Sequence, residues 1–280
     1  HQKEIEFLCS ISAPDCGYIT NIGLAHLEGF GGEEGVYIGK KELFDFLREN
    51  DGKAFVNTDD AKVVRASQWL AGITYGKGKE ALFQGDYMIE NGLLSVTWWR
   101  DVDTTKRVIK TQLSGGYNFS NVMSAVTLAR YFGVSDDKIR IGIENYIPEN
   151  NRSQIEHTSN GNTVVVDCYN ANPSSMIAAI ENISDNSFQN PFVILGDMLE
   201  LGDSAFSKHK EVLDILKEKG IKGFFVGTEF LKHRESDENG IFFEHTSQVA
   251  EHLKNHRLQD MSILLKGSRK MKLEQLLELL

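Results

Sequence analysis

His26 and Glu28 lie just past an apolar run, Tyr18 to Ile22, and Lys40 follows a bend carrying Gly29, Gly31, Gly32 and Gly35. A histidine beyond a strand end and a lysine on the next helix can converge on one point, as groups do in the sites of open α/β sheets. Three more polar clusters end or follow apolar runs: GGYNFSN at 115–121, which contains Asn118 and Asn121; Asn151-Arg152-Ser153-Gln154; and Asp167-Cys168-Tyr169-Asn170-Ala171-Asn172-Pro173. Gly196-Asp197 and Lys266-Gly267-Ser268-Arg269 close two further runs. Two glycine-rich runs are not phosphate cradles. GFGGEEG (29–35) has Glu34 where the last glycine of GxGxxG would fall, and GKGKEA (76–81) lacks the GxxxxGK[ST] spacing.

Taken singly, each cluster has an ordinary explanation. A histidine after a strand commonly satisfies a local hydrogen bond, and a helical lysine is commonly a solvated charge. Asn118 and Asn121 suit the start of a helix. Asp167 could cap the helix that Pro173 opens, and Arg152 alone reads as a surface residue.

The elements that must position these groups alternate between β and α. QKEIEFLCSI reads as an opening helix, Tyr18–Ile22 as a short strand, and a helix beginning near Glu34 carries Lys40 and Lys41. KAFVN (53–57) reads as a buried strand and 60–71 as a helix. From 73 to 113 the texture becomes β-rich, with a hairpin signal at Asn91-Gly92. Helices follow over 119–132 and 136–146, the first with Val122, Ala125, Val126 and Ala129 at helical spacing. Beyond Pro148 the strands TVVVD, FVILGD, GFFVG, IFFEH and SILLKG each lead to a helix, which predicts a doubly wound, mostly parallel sheet. The expected domains are 1–147 and 148–280.

A length of 280 residues accommodates two cores, and 41% hydrophobic with 25% charged residues excludes disordered and fibrous classes. There is neither an apolar run of membrane-spanning length nor a signal peptide, so no membrane insertion is expected. A net charge of −10 opposes binding to nucleic acid, which rests on basic side chains neutralising phosphates. Three cysteines without CxxC spacing argue for a reducing, cytoplasmic setting. The chain opens on His1 rather than Met, and the expectation is that an upstream portion is missing.

Together and in order, ITNIGLAHLEGFG with EGVYIGKKELF, GGYNFSN, PENNRSQ, VDCYNANPSSM, ILGDMLELG and LLKGSRKMKLEQ resemble the ATP-dependent Mur ligases. Within that family the pattern is most similar to the member that joins D-alanyl-D-alanine to UDP-N-acetylmuramoyl-tripeptide. The resemblance implies an α/β chain made of an incomplete central ATPase domain and a Rossmann-like C-terminal domain. The P-loop and acidic Mg²⁺ ligand would lie upstream, and the chain by itself would be inactive.

Carried over residue by residue, the resemblance makes His26 a Mg²⁺ ligand and Lys40 the lysine that is carbamylated in many members, with Lys41 the neighbour that could be confused with it. A carbamate supplies the oxygen donors and negative charge that Mg²⁺ prefers, which an ammonium does not. Asn118 and Asn121 match the family's HNxxN residues on the nucleotide side, with Tyr117 in place of the usual histidine; Asn57 and Asp60, in NTDD, are weaker candidates, Asn57 on the nucleotide side. Arg152 and Asp167 match the C-terminal residues that complete the ATP site on closure, toward the phosphates and the ribose. The implied catalytic set is Lys40, His26 and Arg152, and the implied ligands are ATP, Mg²⁺, UDP-MurNAc-tripeptide and D-Ala-D-Ala, acting on a monomer. Two alternatives stay open: another amide ligase of the superfamily, such as one like folylpolyglutamate synthetase, and a non-catalytic nucleotide-binding module.

Overall fold

The computed structural model of the protein describes residues 2–24, 27–149, 151–185 and 187–280. Two compact units form, one from His1–Ile89, Leu94–Thr111 and Gly116–Tyr146, the other from Glu90–Leu93, Gln112–Gly115 and Ile147–Leu280.

The first unit begins with α1 (Glu4–Ser12), β1 (Cys16–Tyr18), α2 (Leu27–Phe30), α3 (Glu33–Glu49), β2 (Lys53–Asn57), α4 (Ala61–Ala66) and β3 (Gly72–Gly76). β4 (Phe83–Glu90), β5 (Leu93–Arg100) and β6 (Asp103–Ser114) complete a six-stranded sheet in the order β1-β2-β3-β4-β5-β6. β1, β2, β3 and β4 pair in parallel. The turn between β4 and β5 is the expected two-residue one: Asn91 and Gly92 both have positive φ, 52° and 78°, as a type I′ hairpin requires. α5 (Phe119–Tyr131) and α6 (Asp136–Glu144) follow, α5 burying Phe119, Val122, Met123 and Val126.

In the second unit the elements are β7 (Gln154–His157), β8 (Thr163–Asp167), α7 (Pro173–Ile183), β9 (Pro191–Gly196), α8 (Ala205–Glu218), β10 (Lys222–Val226), α9 (Thr228–Leu231), β11 (Gly240–Phe243), α10 (Thr246–Asn255) and β12 (Ser262–Lys266). The sheet order is β11-β10-β9-β12-β8-β7, parallel throughout except for β7. Successive strand residues point to opposite faces. Val164, Val166, Ile194, Phe224, Val226, Ile263 and Leu265 therefore share a core with Val249 and Leu253 of α10 and with Leu273, Leu276 and Leu280. Val165, Val193, Leu195, Phe225 and Leu264, equally buried, face the other way. Burial on both faces is why these strands read as near-continuous apolar runs.

Several local expectations are corrected. The strand expected over 18–22 ends at Tyr18, because beyond it side chains rather than a neighbouring strand take up backbone groups: Ile22 N–H donates to Asp60 and the Asn21 carbonyl accepts from Lys40. Ile19 and Ile22 are apolar because they are buried. The helix expected over 60–71 stops at Ala66, and Trp69 turns left-handed (φ 65°). After β12 there is no α-helix but two 3₁₀ segments, Arg269–Met271 and Leu273–Leu279, separated by Lys272 at φ 52°. β7 was not anticipated at all. No helix among the described residues is long and apolar enough to cross a membrane.

Candidate functional site

The register Tyr18↔Phe55 and Asn57↔Tyr75 brings the carboxyl ends of β1, β2 and β3 to one edge of the first sheet. Asp60 organises that edge. One carboxylate oxygen accepts N–H bonds from Lys62 (2.9 Å) and Val63 (3.1 Å), capping α4, while the other accepts from Ile22 N–H at 3.3 Å. α3 delivers Lys40 to the same segment, its Nζ donating to the Asn21 carbonyl at 2.7 Å. Burial lowers the Lys40 pKa, and the nearby Asp60 charge opposes that shift. Lys41 is engaged elsewhere: its ammonium pairs with Asp45 one turn on, which also accepts from Arg48 at 2.7 Å. His26 lies outside the described residues.

Asn57 is buried, and its Oδ1 accepts the Asp59 N–H at 3.0 Å, so its side chain shapes the turn after β2. The Asp59 carboxylate in turn accepts Lys77 N–H at 3.0 and 3.1 Å. The Lys77 ammonium stands 4.2 Å from the centre of the Tyr87 ring and 5.5 Å from that of Phe119. The sequence reading missed this cation, which sits in the GKGK run set aside for lacking P-loop spacing. Asn118 ends a 3₁₀ turn, Gly116–Asn118, at the head of α5. It is buried, and its Oδ1 accepts from Asn121 Nδ2 at 3.1 Å rather than capping the helix backbone; Asn121 is exposed. Tyr75, hydrogen-bonded to Ser124 of α5, has its hydroxyl pKa pushed up by burial.

In the second unit Lys266 and Asp167 are direct register partners at the carboxyl ends of β12 and β8. The Lys266 ammonium, only 1% exposed, donates to Asp167 Oδ2 at 2.5 Å and to the Asn170 carbonyl at 3.3 Å. Sequence reasoning had placed Lys266 only in a general cluster. A lysine reads as a surface charge, and its partner is 99 residues away in the chain. Arg152 is brought beside the β8 loop by a backbone bend in which Asn151 and Ser153 have positive φ, 57° and 48°, with Cys168 N–H donating to the Asn151 carbonyl at 2.9 Å. The Arg152 guanidinium carbon lies 3.8 Å from the centre of the Tyr169 ring. Asn172 and Ser175 form a reciprocal capping box on α7, with Pro173 at the first helical turn, so the cap belongs to Asn172 and not to Asp167.

Asp197, just past β9, is buried and accepts N–H bonds from Glu229 (2.9 Å) and Phe230 (3.0 Å). His209 Nε2 is 3.6 Å from it, yet this is not an ion pair: Nε2 accepts the Met198 N–H at 3.0 Å and Nδ1 faces the Ala205 carbonyl at 2.7 Å, which defines the neutral Nδ1–H tautomer. Burial lowers the His209 pKa and raises that of Asp197. Gly227 is indispensable here: φ is 122°, and a Cβ would fall 2.2 Å from the Asp197 carboxylate.

Two polar edges thus emerge, one holding Lys40, Asn57 and Asp60, the other Arg152, Asp167 and Lys266, with Asn118 and Asn121 bonded to each other at the head of α5. Among the described residues no three His, Cys, Asp or Glu side chains group closely enough to hold a metal ion. Carboxyl-end edges of parallel sheets are where α/β proteins bind nucleotides and join substrates. Residues 1–129 match the Mur ligase middle domain, and residues 151–269 the Mur ligase, glutamate ligase domain. The chain belongs to the Mur ligase family.

Within that family it is similar to a UDP-N-acetylmuramoyl-tripeptide--D-alanyl-D-alanine ligase of Bacillus subtilis (strain 168), 30% identical over 98% of this chain and 61% of the relative. A crystal structure of MurF from Acinetobacter baumannii superposes with a TM-score of 0.86 at 26% identity, covering 99% of this chain and 62% of that one. MurF ligase from Thermotoga maritima in complex with ADP shares the fold, with a TM-score of 0.85 at 22% identity, covering 100% of this chain and 64% of that one. The chain therefore spans about three-fifths of the length of these relatives.

Proposed function

We propose that these residues belong to an ATP-dependent ligase that joins D-alanyl-D-alanine to UDP-N-acetylmuramoyl-tripeptide in peptidoglycan precursor synthesis, acting as a cytoplasmic monomer. What supports the reading above all is that Lys40 and Asn57 stand at or beside the carboxyl-end edge of the parallel strands of the first sheet and Asp167 at that of the second, which is where such a reaction needs them. The 280 residues contain no GxxxxGK[ST] loop, so the activity is proposed for a polypeptide in which they are joined to one. The division of labour follows the expected domains, 1–147 and 148–280.

ATP would phosphorylate the terminal carboxylate of the tripeptide. The carboxylate oxygen bonds the γ-phosphorus, ADP leaves, and the resulting acyl phosphate is attacked by the dipeptide amine, which expels phosphate and forms the amide. Asn118 and Asn121, with Asn57 beneath them in rank, would serve the nucleotide side; Arg152 would neutralise phosphate charge and Asp167 would meet the ribose. Lys266 keeps Asp167 in one orientation. Mg²⁺ fits the donor chemistry only if Lys40 is carbamylated, because the ammonium repels a cation; with that change His26 and Lys40 would hold it. The ion would offset the negative charge of the transferring phosphoryl group.

The test is an exchange of acceptors with the P-loop-containing protein. ADP release is expected with UDP-MurNAc-tripeptide plus D-Ala-D-Ala and not with glutamate in its place. Equal release with glutamate and a folate acceptor would move the protein to the folylpolyglutamate class, and nucleotide binding with no turnover on any acceptor would make it a binding module.

A further inference from the structure

Arg152 has an unusual anchorage for a cation. Among the described residues no carboxylate pairs with its guanidinium; what holds it is the face of Tyr169, with the guanidinium carbon 3.8 Å from the ring centre. A carboxylate clamp would spend the in-plane N–H donors and cancel the charge. Stacking on an aromatic face does neither, because the attraction acts through the flat side of the guanidinium and leaves its rim of donors for an anion.

The ring itself is on a fixed mount. Lys266 ties the loop by donating to the Asp167 carboxylate and the Asn170 carbonyl, residues on either side of Tyr169 in the chain. Cys168, the residue directly before it, donates its N–H to the Asn151 carbonyl and its thiol to the Leu265 carbonyl at 3.1 Å. The capping box at Asn172 fixes the far end of the loop. Arg152 is bracketed likewise, by the left-handed residues Asn151 and Ser153. Even so, Tyr169 remains 44% exposed, so the ring is not there to fill a core.

We infer that Tyr169 is a positioning residue for Arg152, holding the guanidinium with its donors free toward a nucleotide phosphate; this rests on the proposed role of Arg152. The experiment compares Tyr169→Phe, Tyr169→Leu, Arg152→Ala and the double variant Tyr169→Leu/Arg152→Ala in the P-loop-containing protein, measuring kcat and KM for ATP and for D-Ala-D-Ala. Tyr169→Leu should lower kcat/KM for ATP roughly three- to thirty-fold, the range a cation–π contact is worth. KM for the dipeptide should stay unchanged, and Tyr169→Phe should restore ATP use because it keeps the ring. Adding Tyr169→Leu to Arg152→Ala should cost nothing more. A full additional loss in the double variant, or equal loss in Phe and Leu, would overturn the inference while leaving the ligase reading intact. An Arg152→Ala protein with wild-type kinetics would overturn the inference together with the Arg152 assignment.

Discussion

At the scale of single residues, two adjacent lysines of α3 have opposite circumstances. Lys40 reaches the Asn21 carbonyl beside the Asp60-bound segment, whereas Lys41 is paired with Asp45 on its own helix. A modified lysine that serves a metal should be the one directed at the sheet edge, and an i,i+4 pair on a helix surface contributes only a few tenths of a kcal/mol. Lys40→Ala is therefore expected to lose ligase turnover by at least about a hundredfold, the scale on which lost charge stabilisation at a phosphoryl-transfer centre is felt. Lys41→Ala should remain within about twofold. Protein incubated with ¹³C-bicarbonate should show a carbamate resonance that Lys40→Arg abolishes. A resonance lost instead in Lys41→Arg would reverse the assignment.

At the scale of elements, the loop after β9 is tied to α8 through His209, which uses its neutral form to accept the Met198 N–H. The groups facing the ring are Asp197, Glu229 and His233, and burial outweighs the two carboxylates to give a lowered pKa. The folded pKa is thus below the unfolded value of about 6.5, so the unfolded chain binds the extra proton first. This contribution is present above about pH 6.5 and is lost as pH falls through the folded value. The urea midpoint should drop between pH 7.5 and pH 5.5, and His209→Gln should be less stable at pH 7.5 with a shallower decline. A decline as steep as in the wild type would assign it to His233 and His252, whose pKa values are also lowered. How far such elements were legible follows from burial. Strands covered on both faces announce themselves as apolar runs, which is why β8, β9, β10 and β12 were readable. β7 was not, because QIEH is four residues long, has one apolar residue and lies on the sheet edge. The 3₁₀ segments at the end were hidden because leucines at 273, 276 and 280 satisfy helical spacing as well. Of the site, the strand-end polar residues were visible, while the Lys266 partnership with Asp167 depended on a register between strands distant in sequence.

At the scale of the molecule, the chain carries two Mur ligase domains and covers 61% of the length of its Bacillus subtilis relative. The assembled protein is proposed to couple ATP to amide formation by phosphorylating a carboxylate. The direct measurement uses UDP-MurNAc-tripeptide labelled with ¹⁸O in its terminal carboxylate, ligated to D-Ala-D-Ala by the P-loop-containing protein, with the released phosphate analysed by mass spectrometry. The acyl-phosphate route predicts one ¹⁸O in each phosphate, because the oxygen that attacks the γ-phosphorus leaves with it. Ligation that yields unlabelled phosphate, or phosphate released at the same rate without the dipeptide, would rule out that route.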